Sequence, residues 1–447
     1  SFQVSCSYGP GRYDPAYEER GQDYPLGFVR WTEQRNFEAV LDLMAAGSIE
    51  TAGLISHRFA LEDAAEAYAT LSSEPALGIL LDAAPLDDVA EMTRVDTAAA
   101  STDARSRPGR DAVGVSFLGA GNHAARVLAP AFKAAGARFR AIASAGGVSG
   151  TLVAKSHGFQ TSTTDTSDLF DDAGTDLVVV STRHDSHAGF SVQALDAGRA
   201  VFVEKPLALD LDDLHRVQRA HEAAAARGDA PFLMLGFNRR FSPHVTRVKQ
   251  HTDRSGAAMA LVMTVNAGAI PSDHWVQDVD QGGGRLIGEA CHFIDLARFL
   301  VARPVCHSTI QGLRPDAPDY AFDTATITLG FDDGSMATIH YLANGHKSLA
   351  KERIELFQAG AVYQIDNFRR TRAYGVPGFK GLRTRSPDKG AGACAAATMA
   401  ALKEGRPPPI DPAEIWEVTR LSIDLAAAYD PRLAPYAAST ATAAETI

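Results

Sequence analysis

Two kinds of apolar spacing divide most of the chain. From Val113 onward, short runs of β-branched and other apolar residues alternate with longer stretches of helical spacing. The runs predict strands at 113–118, 139–144, 176–182, 200–203 and 232–236, with helices between them. Because such alternation calls for crossover helices, residues 112–236 are expected to form a doubly wound parallel sheet with helices on both faces, an α/β fold.

The spacing changes after residue 236. A strand-like run covers 257–266, and two hairpins are predicted over 324–341 and 353–365, with their turns at Asp333-Gly334 and Ala359-Gly360. Successive hairpins indicate an α+β domain with an open, largely antiparallel sheet over 237–430. Two late helices, at 394–403 and 411–426, are expected to pack back on the first domain, and 431–447 to form a flexible tail.

The first 83 residues have their own pattern. An amphipathic helix at 36–47 ends at Gly47, a second helix covers 61–68, and a strand covers 78–81, which predicts a small α/β segment. Residues 84–111 are rich in Ala, Asp, Thr, Ser and Arg and carry no sustained period, so we interpret them as a linker.

Composition narrows the class of protein. A chain of 447 residues exceeds one hydrophobic core, so two or three domains are expected. With 43 basic against 54 acidic residues, the net charge of −11 argues against a nucleic-acid or anionic-membrane surface. There is no apolar run of about eighteen residues. The four cysteines form no Cys-x-x-Cys pair, so neither a disulfide framework nor a metal site is indicated, and a cytoplasmic location is expected.

A glycine-rich turn follows the first strand of the parallel sheet. In the sequence Gly119-x-Gly121-x-x-Ala124, the first glycine permits a tight turn and the second has no Cβ to hold a pyrophosphate away from the backbone. Ala124 lets the helix and strand pack closely. The helix is predicted to begin at Asn122, so Asn122 and His123 lie at an N-terminus that favours phosphate. This predicts a Rossmann-type dinucleotide-binding domain.

The ends of the later strands carry further candidate residues. Ser144 stands where a ribose-binding carboxylate is usual, and no arginine follows it, so NAD and NADP both stay open. Thr182 and Glu204, at the ends of two strands, are predicted to line the cofactor site. His187 is predicted to cap the helix that follows or to touch the nicotinamide end of the site, and a core histidine is the alternative. Lys205 follows the buried-looking run at 200–203 and precedes a proline, so we interpret it as the group that exchanges a proton with a substrate hydroxyl.

These motifs resemble the Gfo/Idh/MocA family of NAD(P)-dependent oxidoreductases. The resemblance covers about 112–430 and rests on the glycine turn, His187, Glu204-Lys205-Pro206 and the sequence Gly-Phe-Asn-Arg-Arg-Phe at 236–241. It implies that Lys205 is the catalytic lysine. The run at 57–68 resembles the C-terminal segment of zinc-type alcohol dehydrogenases, and the whole resembles bi-domain oxidoreductases that fuse the two. No zinc-ligand region accompanies that segment, so no alcohol dehydrogenase activity follows from it. We expect the C-terminal part of a larger fusion.

The family's pattern Gly-Gly-x-x-x-Asp-x-x-x-His-x-x-Asp maps onto 283–295 with one departure. His292 matches the catalytic histidine, but Gly288 replaces the first aspartate. Glu289 is about 100° further round the helix, and it can substitute only if the helix is turned or its side chain reaches back. At helical spacing, Gly288, His292 and Asp295 share one face. We predict catalytic roles for His292 and Glu289 and a substrate contact for Asp295.

Four further residues are candidates for holding the substrate. Trp275 could stack on a sugar face while His274 binds hydroxyls, or the pair could merely cover a sheet edge. Asn238 and Arg239, shortly after the last strand of the first domain, could bind substrate polar groups or tie the domains together.

Three functions agree with these residues. The first is hydride transfer between NAD(P) and a hydroxyl-bearing carbon of a sugar, nucleotide-sugar or cyclitol. The second is a glycosidase or eliminase with transient redox on tightly bound NAD, and the third is a cofactor-binding sensor without catalysis, which Gly288 favours. Because both Lys205 and His292 are present, we favour the first. A homo-oligomer, dimer or tetramer, is expected from the open sheet.

Overall fold

The computed structural model describes residues 8–83, 93–97, 113–228, 230–313 and 321–437. Two compact units divide the chain, Ser1–Val89 and Ala90–Ile447. The described elements of the first unit are α1 (Pro15–Glu18), α2 (Glu33–Ala45), β1 (His57–Ala60), α3 (Ala64–Ser73) and β2 (Ile79–Asp82). β1 and β2 pair in parallel around α3. The two helices and the second strand lie where the periodicity predicts them, within three residues at their starts.

The second unit begins with a doubly wound sheet, as predicted. Its described strands are β3 (Arg94–Asp96), β4 (Gly114–Leu118), β5 (Arg138–Ala143), β6 (Thr161–Thr163), β7 (Leu177–Val180), β8 (Ala200–Val203) and β9 (Leu233–Leu235). The spatial order β3-β6-β5-β4-β7-β8-β9 is parallel except at β3. β4 therefore stands at the point where the strand order reverses, and ligands of such sheets bind at the carboxyl ends of the strands there.

Two strands of this sheet were not predicted. β6 is short and made of threonine and serine, and β3 lies inside the stretch interpreted as a linker, pairing antiparallel with β6. The linker interpretation is therefore wrong for 94–96, because three backbone pairings suffice to fix an edge strand that has little apolar side chain. Residues 84–92 and 98–112 lie outside the described part of the chain.

The helices of this domain cover both faces of the sheet. They are α4 (Ala129–Ala134), α5 (Gly147–His157), α6 (Ser167–Asp171), α7 (His187–Asp196) and α8 (Leu211–Ala226). The helix after the glycine turn enters α4 through a π-helical segment at Ala124–Leu128. Phe132 on α4 packs edge-to-face against Phe117 of β4 and Phe202 of β8, so buried aromatic contacts fix this helix on the central strands.

The second domain is built on a larger sheet. Its described strands are β10 (Ala260–Asn266), β11 (Val305–Gly312), β12 (Ala325–Phe331), β13 (Met336–Leu342), β14 (Glu352–Gln358), β15 (Ala361–Asp366), β16 (Arg370–Tyr374) and β17 (Leu382–Arg383). All neighbours in the order β11-β12-β13-β10-β14-β15-β16-β17 are antiparallel except β10 and β13. The predicted, largely antiparallel sheet is confirmed, and both predicted hairpins are present.

Four helices complete the second domain. They are α9 (Pro243–Ser255), α10 (Cys291–Val301), α11 (Ala391–Glu404) and α12 (Pro412–Tyr429). α11 packs on α4 and α12 on α8, so both return to the first sheet's helices. Asp411 caps α12 by accepting a hydrogen bond from Ala413 N. The predicted flexible tail is wrong for Pro431–Ala437, which form a 3₁₀ helix, and 438–447 lie outside the described residues.

Searching the described residues for a membrane-spanning helix finds none of sufficient length and apolar character. Nor do the described residues hold a group of three or more His, Cys, Asp or Glu side chains that could bind a metal ion.

Candidate active site

A cavity of about 360 Å³ lies where β8 and β9 end and the second domain begins. Its walls come from both domains of the second unit. Eight of the predicted site residues line it, namely His123, Glu204, Lys205, Asn238, Arg239, Trp275, Glu289 and His292. The sequence prediction that the informative residues meet at the carboxyl ends of the strands therefore matches this geometry.

The glycine turn has one closed and one open position. Gly119 has φ +101°, and a Cβ there would lie 2.6 Å from the carbonyl oxygen of Ser181, so only glycine fits. A Cβ on Gly121 would meet no atom of the described residues within 4 Å. Ala124 is fully buried against the sheet. The protein itself does not require glycine at 121, and the open space fits a dinucleotide pyrophosphate lying on the backbone.

His123 and Glu204 form one edge of the cavity. His123 Nε2 lies 3.2 Å from Glu204 Oε1, and this hydrogen bond raises the pKa of His123. Burial alone would raise the pKa of Glu204, but the hydrogen bond and charge of His123 lower it overall. The pair joins the helix after the glycine turn to the end of β8, so it fixes the distance between the two halves of the nucleotide site.

Lys205 reaches across to the second domain. Its Nζ donates a 2.7 Å hydrogen bond to the carbonyl oxygen of Gly288. His187, predicted to touch the cofactor, is instead fully buried behind this lysine. Its Nδ1 lies 2.7 Å from the carbonyl of Pro206 and its Nε2 lies 3.2 Å from that of Thr182. A neutral imidazole donates from one nitrogen only, so the 2.7 Å contact of Nδ1 with Pro206 O is its hydrogen bond. His187 is 1% exposed and does not line the cavity, so it fits the interpretation as a core histidine rather than a cofactor contact, and it supports the lysine's turn.

His292 faces the same cavity from α10. Its side chain is 6% exposed, and its Nδ1 has no hydrogen-bond partner in the described part of the chain. Burial, together with the positive charges of Arg239 and Lys205, lowers its pKa well below the usual value. The imidazole is therefore neutral near pH 7, and it can donate or accept one hydrogen bond without carrying charge.

Glu289 also lines the cavity, but its carboxylate is already engaged. Tyr341 and Lys351 donate short hydrogen bonds to it, and Arg285 Nη2 lies 3.2 Å away. Burial would raise its pKa, yet Lys351 and Tyr341 lower it to about 2. The carboxylate is held ionised, which argues against proton donation by Glu289 and favours a role in ordering the cavity wall.

The glycine at position 288 has a local explanation. The segment Leu286–Ala290 is π-helical, so the regular helical face predicted for 288–295 does not form. A Cβ on Gly288 would lie 2.9 Å from His184 Cε1. His184 packs edge-to-face on Trp275, with ring centroids 4.8 Å apart, and both line the cavity. An aspartate at 288 would displace this histidine.

Arg239 belongs to a buried charge cluster. Its Nη2 donates to Glu352 Oε1 at 2.8 Å, and Lys389 Nζ donates to the same oxygen at 2.9 Å. Arg239, Asn238 and Lys389 line the cavity. Lys389 was missed by the sequence reasoning, because it comes from a loop before α11 whose position only the packing of that helix fixes. His184 lies in the loop directly after β7, and it was missed because its contact with Gly282 O is made by a distant part of the chain.

Two predicted substrate residues lie elsewhere. Asp295 is bound to Arg240 Nε at 3.2 Å, forms a second short bond to Arg240 Nη2, and does not line the cavity. His274 is exposed, and its Nδ1 accepts a hydrogen bond from Val276 N at 3.3 Å. Asp295 lies on α10 with His292, but its carboxylate is paired with Arg240, and His274 precedes the 3₁₀ helix at Trp275–Gln277 as an exposed residue. The prediction of a substrate contact is wrong for the buried, ion-paired Asp295, whereas that for His274 stays a prediction.

Besides the glycine turn and His187, three further predicted cofactor residues lie outside the cavity walls. Asn122 is exposed at the start of the helix. Ser144 directly follows β5, and its backbone N donates to the carbonyl of Thr163. The Thr182 hydroxyl lies 2.7 Å from that of Ser186. Their roles toward the adenosine and phosphate parts of a cofactor stay predictions.

The sheet has the strand order of a dinucleotide-binding fold, with a glycine turn at the point where the order reverses. One cavity holds an ammonium and an imidazole from two domains. Together these features define the fold of a dinucleotide-dependent oxidoreductase. Residues 113–228 match the sequence profile of an oxidoreductase family with an NAD-binding Rossmann fold, and 251–361 match the GFO/IDH/MocA C-terminal domain. The two matches cover more than half of the chain, which therefore belongs to the Gfo/Idh/MocA family.

Two curated relatives and one solved structure illustrate the likeness. The chain is 29% identical over 224 residues to the uncharacterized oxidoreductase YrbE of Bacillus subtilis, covering 49% of this chain and 63% of that protein. It is 30% identical over 211 residues to inositol 2-dehydrogenase of Rhizobium meliloti, covering 46% and 61%. A levoglucosan dehydrogenase in complex with NADH and levoglucosan superposes with a TM-score of 0.61 at 19% identity, covering 71% and 98%. The chain spans less than two thirds of these curated relatives.

Proposed function

We propose that this protein transfers a hydride between NAD(P) and a hydroxyl-bearing carbon of a sugar, nucleotide-sugar or cyclitol. The observation that carries the proposal is that Lys205 and His292, from separate domains, line one cavity that also reaches His123 beside the glycine turn. The relative named inositol 2-dehydrogenase supports a cyclitol or sugar as the substrate class.

Each residue of the pair has a distinct task. A bound nicotinamide would accept or supply the hydride. Lys205 would exchange the hydroxyl proton at its Nζ, while its bond to Gly288 O keeps the nitrogen in the cavity. His292, being neutral, would hydrogen-bond the reacting oxygen and hold it near that nitrogen. Glu289 would keep the wall ordered rather than move a proton.

Unpaired polar atoms around the cavity suit a polyol. Asn238 Oδ1, Arg239 Nε and His292 Nδ1 are buried, and none of them has a hydrogen-bond partner among the residues that the structure describes. Buried polar atoms normally have partners, so such a group marks a place where a ligand with several hydroxyls gains bonds. This favours a polyhydroxylated substrate over a simple alcohol.

The cofactor choice and the first unit complete the proposal. The strand end at Ser144 carries neither a carboxylate nor an arginine, so NAD and NADP are both candidates. We also infer that 1–83 is a segment of the zinc-type alcohol dehydrogenase kind, which the parallel strand-helix-strand arrangement of β1, α3 and β2 supports.

The test couples binding with turnover. The purified protein is titrated with NADH and NADPH, then incubated with NAD or NADP and a panel of inositols, aldoses and nucleotide-sugars while absorbance at the reduced-nicotinamide band is followed. A net change supports the proposal. Product without net change would instead support elimination with transient redox, and binding without turnover would support a sensor.

Replacing the proposed proton-transfer group gives the sharpest control. Lys205→Met is expected to lower kcat by about 10²-fold or more, since the hydroxyl proton loses its acceptor, while NADH affinity changes little. Lys249→Met, which removes a lysine paired with Asp253 on α9, serves as the matched control and should leave kcat unchanged. Unaltered kcat in Lys205→Met would contradict the assigned role.

A further inference from the structure

The contact between His184 and Gly288 carries a further inference, which rests on the proposed function. We infer that His184 is a specificity-determining residue whose Nε2 accepts a hydrogen bond from a substrate hydroxyl. It would do so beside the position where the family pattern has an aspartate and this chain has Gly288. Gly288 and His184 would then form one device, because the ring needs the space that a side chain at 288 would fill.

The hydrogen bond on the other ring nitrogen fixes the tautomer. His184 Nδ1 lies 2.8 Å from the carbonyl oxygen of Gly282. A carbonyl can only accept, so Nδ1 carries the proton and Nε2 of the neutral ring is left as an acceptor. Nε2 has no partner among the described residues and is not sealed from solvent. Since the ring lines the cavity, this nitrogen is available to a ligand.

The ring is also held in place from several sides. Asp185 N donates to the carbonyl of Gln281 at 3.2 Å, and Arg183 donates a short bond to the Gln281 side chain. Trp275 packs edge-on against the imidazole. Only 7% of His184 is exposed. A side chain fixed this firmly can direct a hydroxyl without losing much freedom on binding.

The acceptor nitrogen of His184 lies on the same cavity wall as the donor nitrogen of Lys205. Lys205 Nζ is hydrogen-bonded to Gly288 O, and His184 Cε1 would lie 2.9 Å from a Cβ built on the same residue. The lysine donates and the histidine accepts on neighbouring parts of one wall. Two adjacent hydroxyls of a polyol would satisfy both, one as acceptor or reacting oxygen and the other as donor. A substrate lacking the second hydroxyl is therefore expected to bind less tightly.

The test uses two substitutions that separate the ring nitrogens. In His184→Asn the amide can still donate to Gly282 O but offers nothing at Nε2, whereas His184→Ala removes both. For the polyol that gives the strongest signal in the panel, His184→Asn is expected to raise KM about tenfold with kcat within twofold and NADH affinity unchanged. His307→Asn, an exposed histidine on β11, is the matched control.

A second arm tests the pairing with position 288. Gly288→Ala alone should raise KM similarly, because its Cβ would press on His184. The double variant His184→Asn, Gly288→Asp should recover much of the lost affinity, since a carboxylate then replaces the imidazole acceptor. A double variant whose KM is no lower than that of His184→Asn or of Gly288→Ala would overturn the inference. So would a His184→Asn variant in which thermal stability and kcat change but KM does not.

A third measurement does not depend on finding a substrate. In ¹⁵N-histidine-labelled protein, NMR is expected to show His184, assigned by its loss in His184→Asn, with the proton on Nδ1. A proton on Nε2 would overturn the inference even if dehydrogenase activity is found. Absence of turnover with the correct tautomer would instead count against the proposed function and, with no polyol bound, against the assigned partner of Nε2.

Discussion

At the scale of single residues, the cavity keeps its imidazoles neutral. Burial lowers the pKa of His184 to about 3, with Lys205 adding to the effect, and burial likewise lowers the pKa of His187 and His292. His123 is the exception, since its bond to Glu204 raises its pKa. Positive charge near the reacting atoms therefore comes from lysine and arginine rather than from histidine.

This neutrality predicts how stability depends on pH. The folded pKa of His184 lies near 3, below an unfolded value of about 6.5, so beneath pH 6.5 the unfolded chain takes up a proton that the folded chain does not. The contribution of the neutral His184 ring to the free energy of unfolding is therefore fully present above pH 6.5 and is lost as the pH falls. Between pH 6 and 4, the free energy of unfolding of His184→Asn should therefore fall less steeply with decreasing pH than that of the wild type, by about 1.4 kcal/mol per pH unit. Chemical denaturation at each pH measures both slopes. Equal slopes in both proteins would contradict the buried, neutral ring.

The sequence located some site residues and missed others for clear reasons. Lys205 and His292 could be predicted, because one follows a buried strand and the other lies in a motif opening a helix. Lys389 could not, since no local pattern reveals that α11 carries the loop before it into the cavity, and His184 could not, since its partners Gly282 and Trp275 come from a distant part of the chain. The role of Glu289 depends on Tyr341 and Lys351, which reach it from other strands.

At the scale of elements, the glycine turn separates folding from binding. Gly119→Val should destabilise the protein by about 2 kcal/mol, because of its positive φ and the contact with Ser181 O. Gly121→Val should leave stability within about 0.5 kcal/mol but weaken NADH binding at least tenfold, since the space at 121 is open in the protein. Chemical denaturation and NADH titration check both, and an equal loss of stability in the two variants would contradict the assigned difference.

Helix α10 is joined to its surroundings by a buried ion pair. Arg240 binds Asp295 and also donates to Glu414 of α12 at 2.7 Å. Asp295→Asn should lower the free energy of unfolding by about 3 kcal/mol, because a buried guanidinium loses a charged partner. The KM for the polyol should change less than twofold, since Asp295 lies outside the cavity. A large change in KM at unaltered stability would restore Asp295 as a substrate residue.

Strand prediction succeeded where apolar side chains define the element. β7 and β8 are runs of buried valine, leucine and phenylalanine, and the sequence places them correctly. β3 and β6 are short and polar, so backbone pairing rather than side-chain pattern forms them. The π-helical turns before α4 and α10 were not predictable either, because they depend on close packing at the cavity and not on composition.

At the scale of the whole molecule, the second unit is bridged at its cavity. The loop after β7 is bonded to Gln281 and Gly282 through His184, Asp185 and Arg183, so the two domains share one wall of the site. Its large sheet buries one face, while alternate residues of β12 and β13 on the other face are only half-buried.

That partly open face predicts self-association. Sheets with an uncovered face commonly pair between copies, so sedimentation velocity at micromolar concentration is expected to give a dimer or tetramer. Replacing Met336 and Phe357, two exposed apolar residues of this sheet, by lysine should shift the distribution toward monomer. A wild-type protein that sediments as a monomer would contradict the prediction.

The bond from Lys205 to Gly288 has a consequence for how such proteins diverge. The lysine is anchored by a main-chain oxygen, which every amino acid supplies equally. A substitution at position 288 can thus change which ligands bind while Lys205 Nζ stays in the same place. Proteins descended from one ancestor can in this way change their ligand preference without an intermediate that has lost the lysine's position.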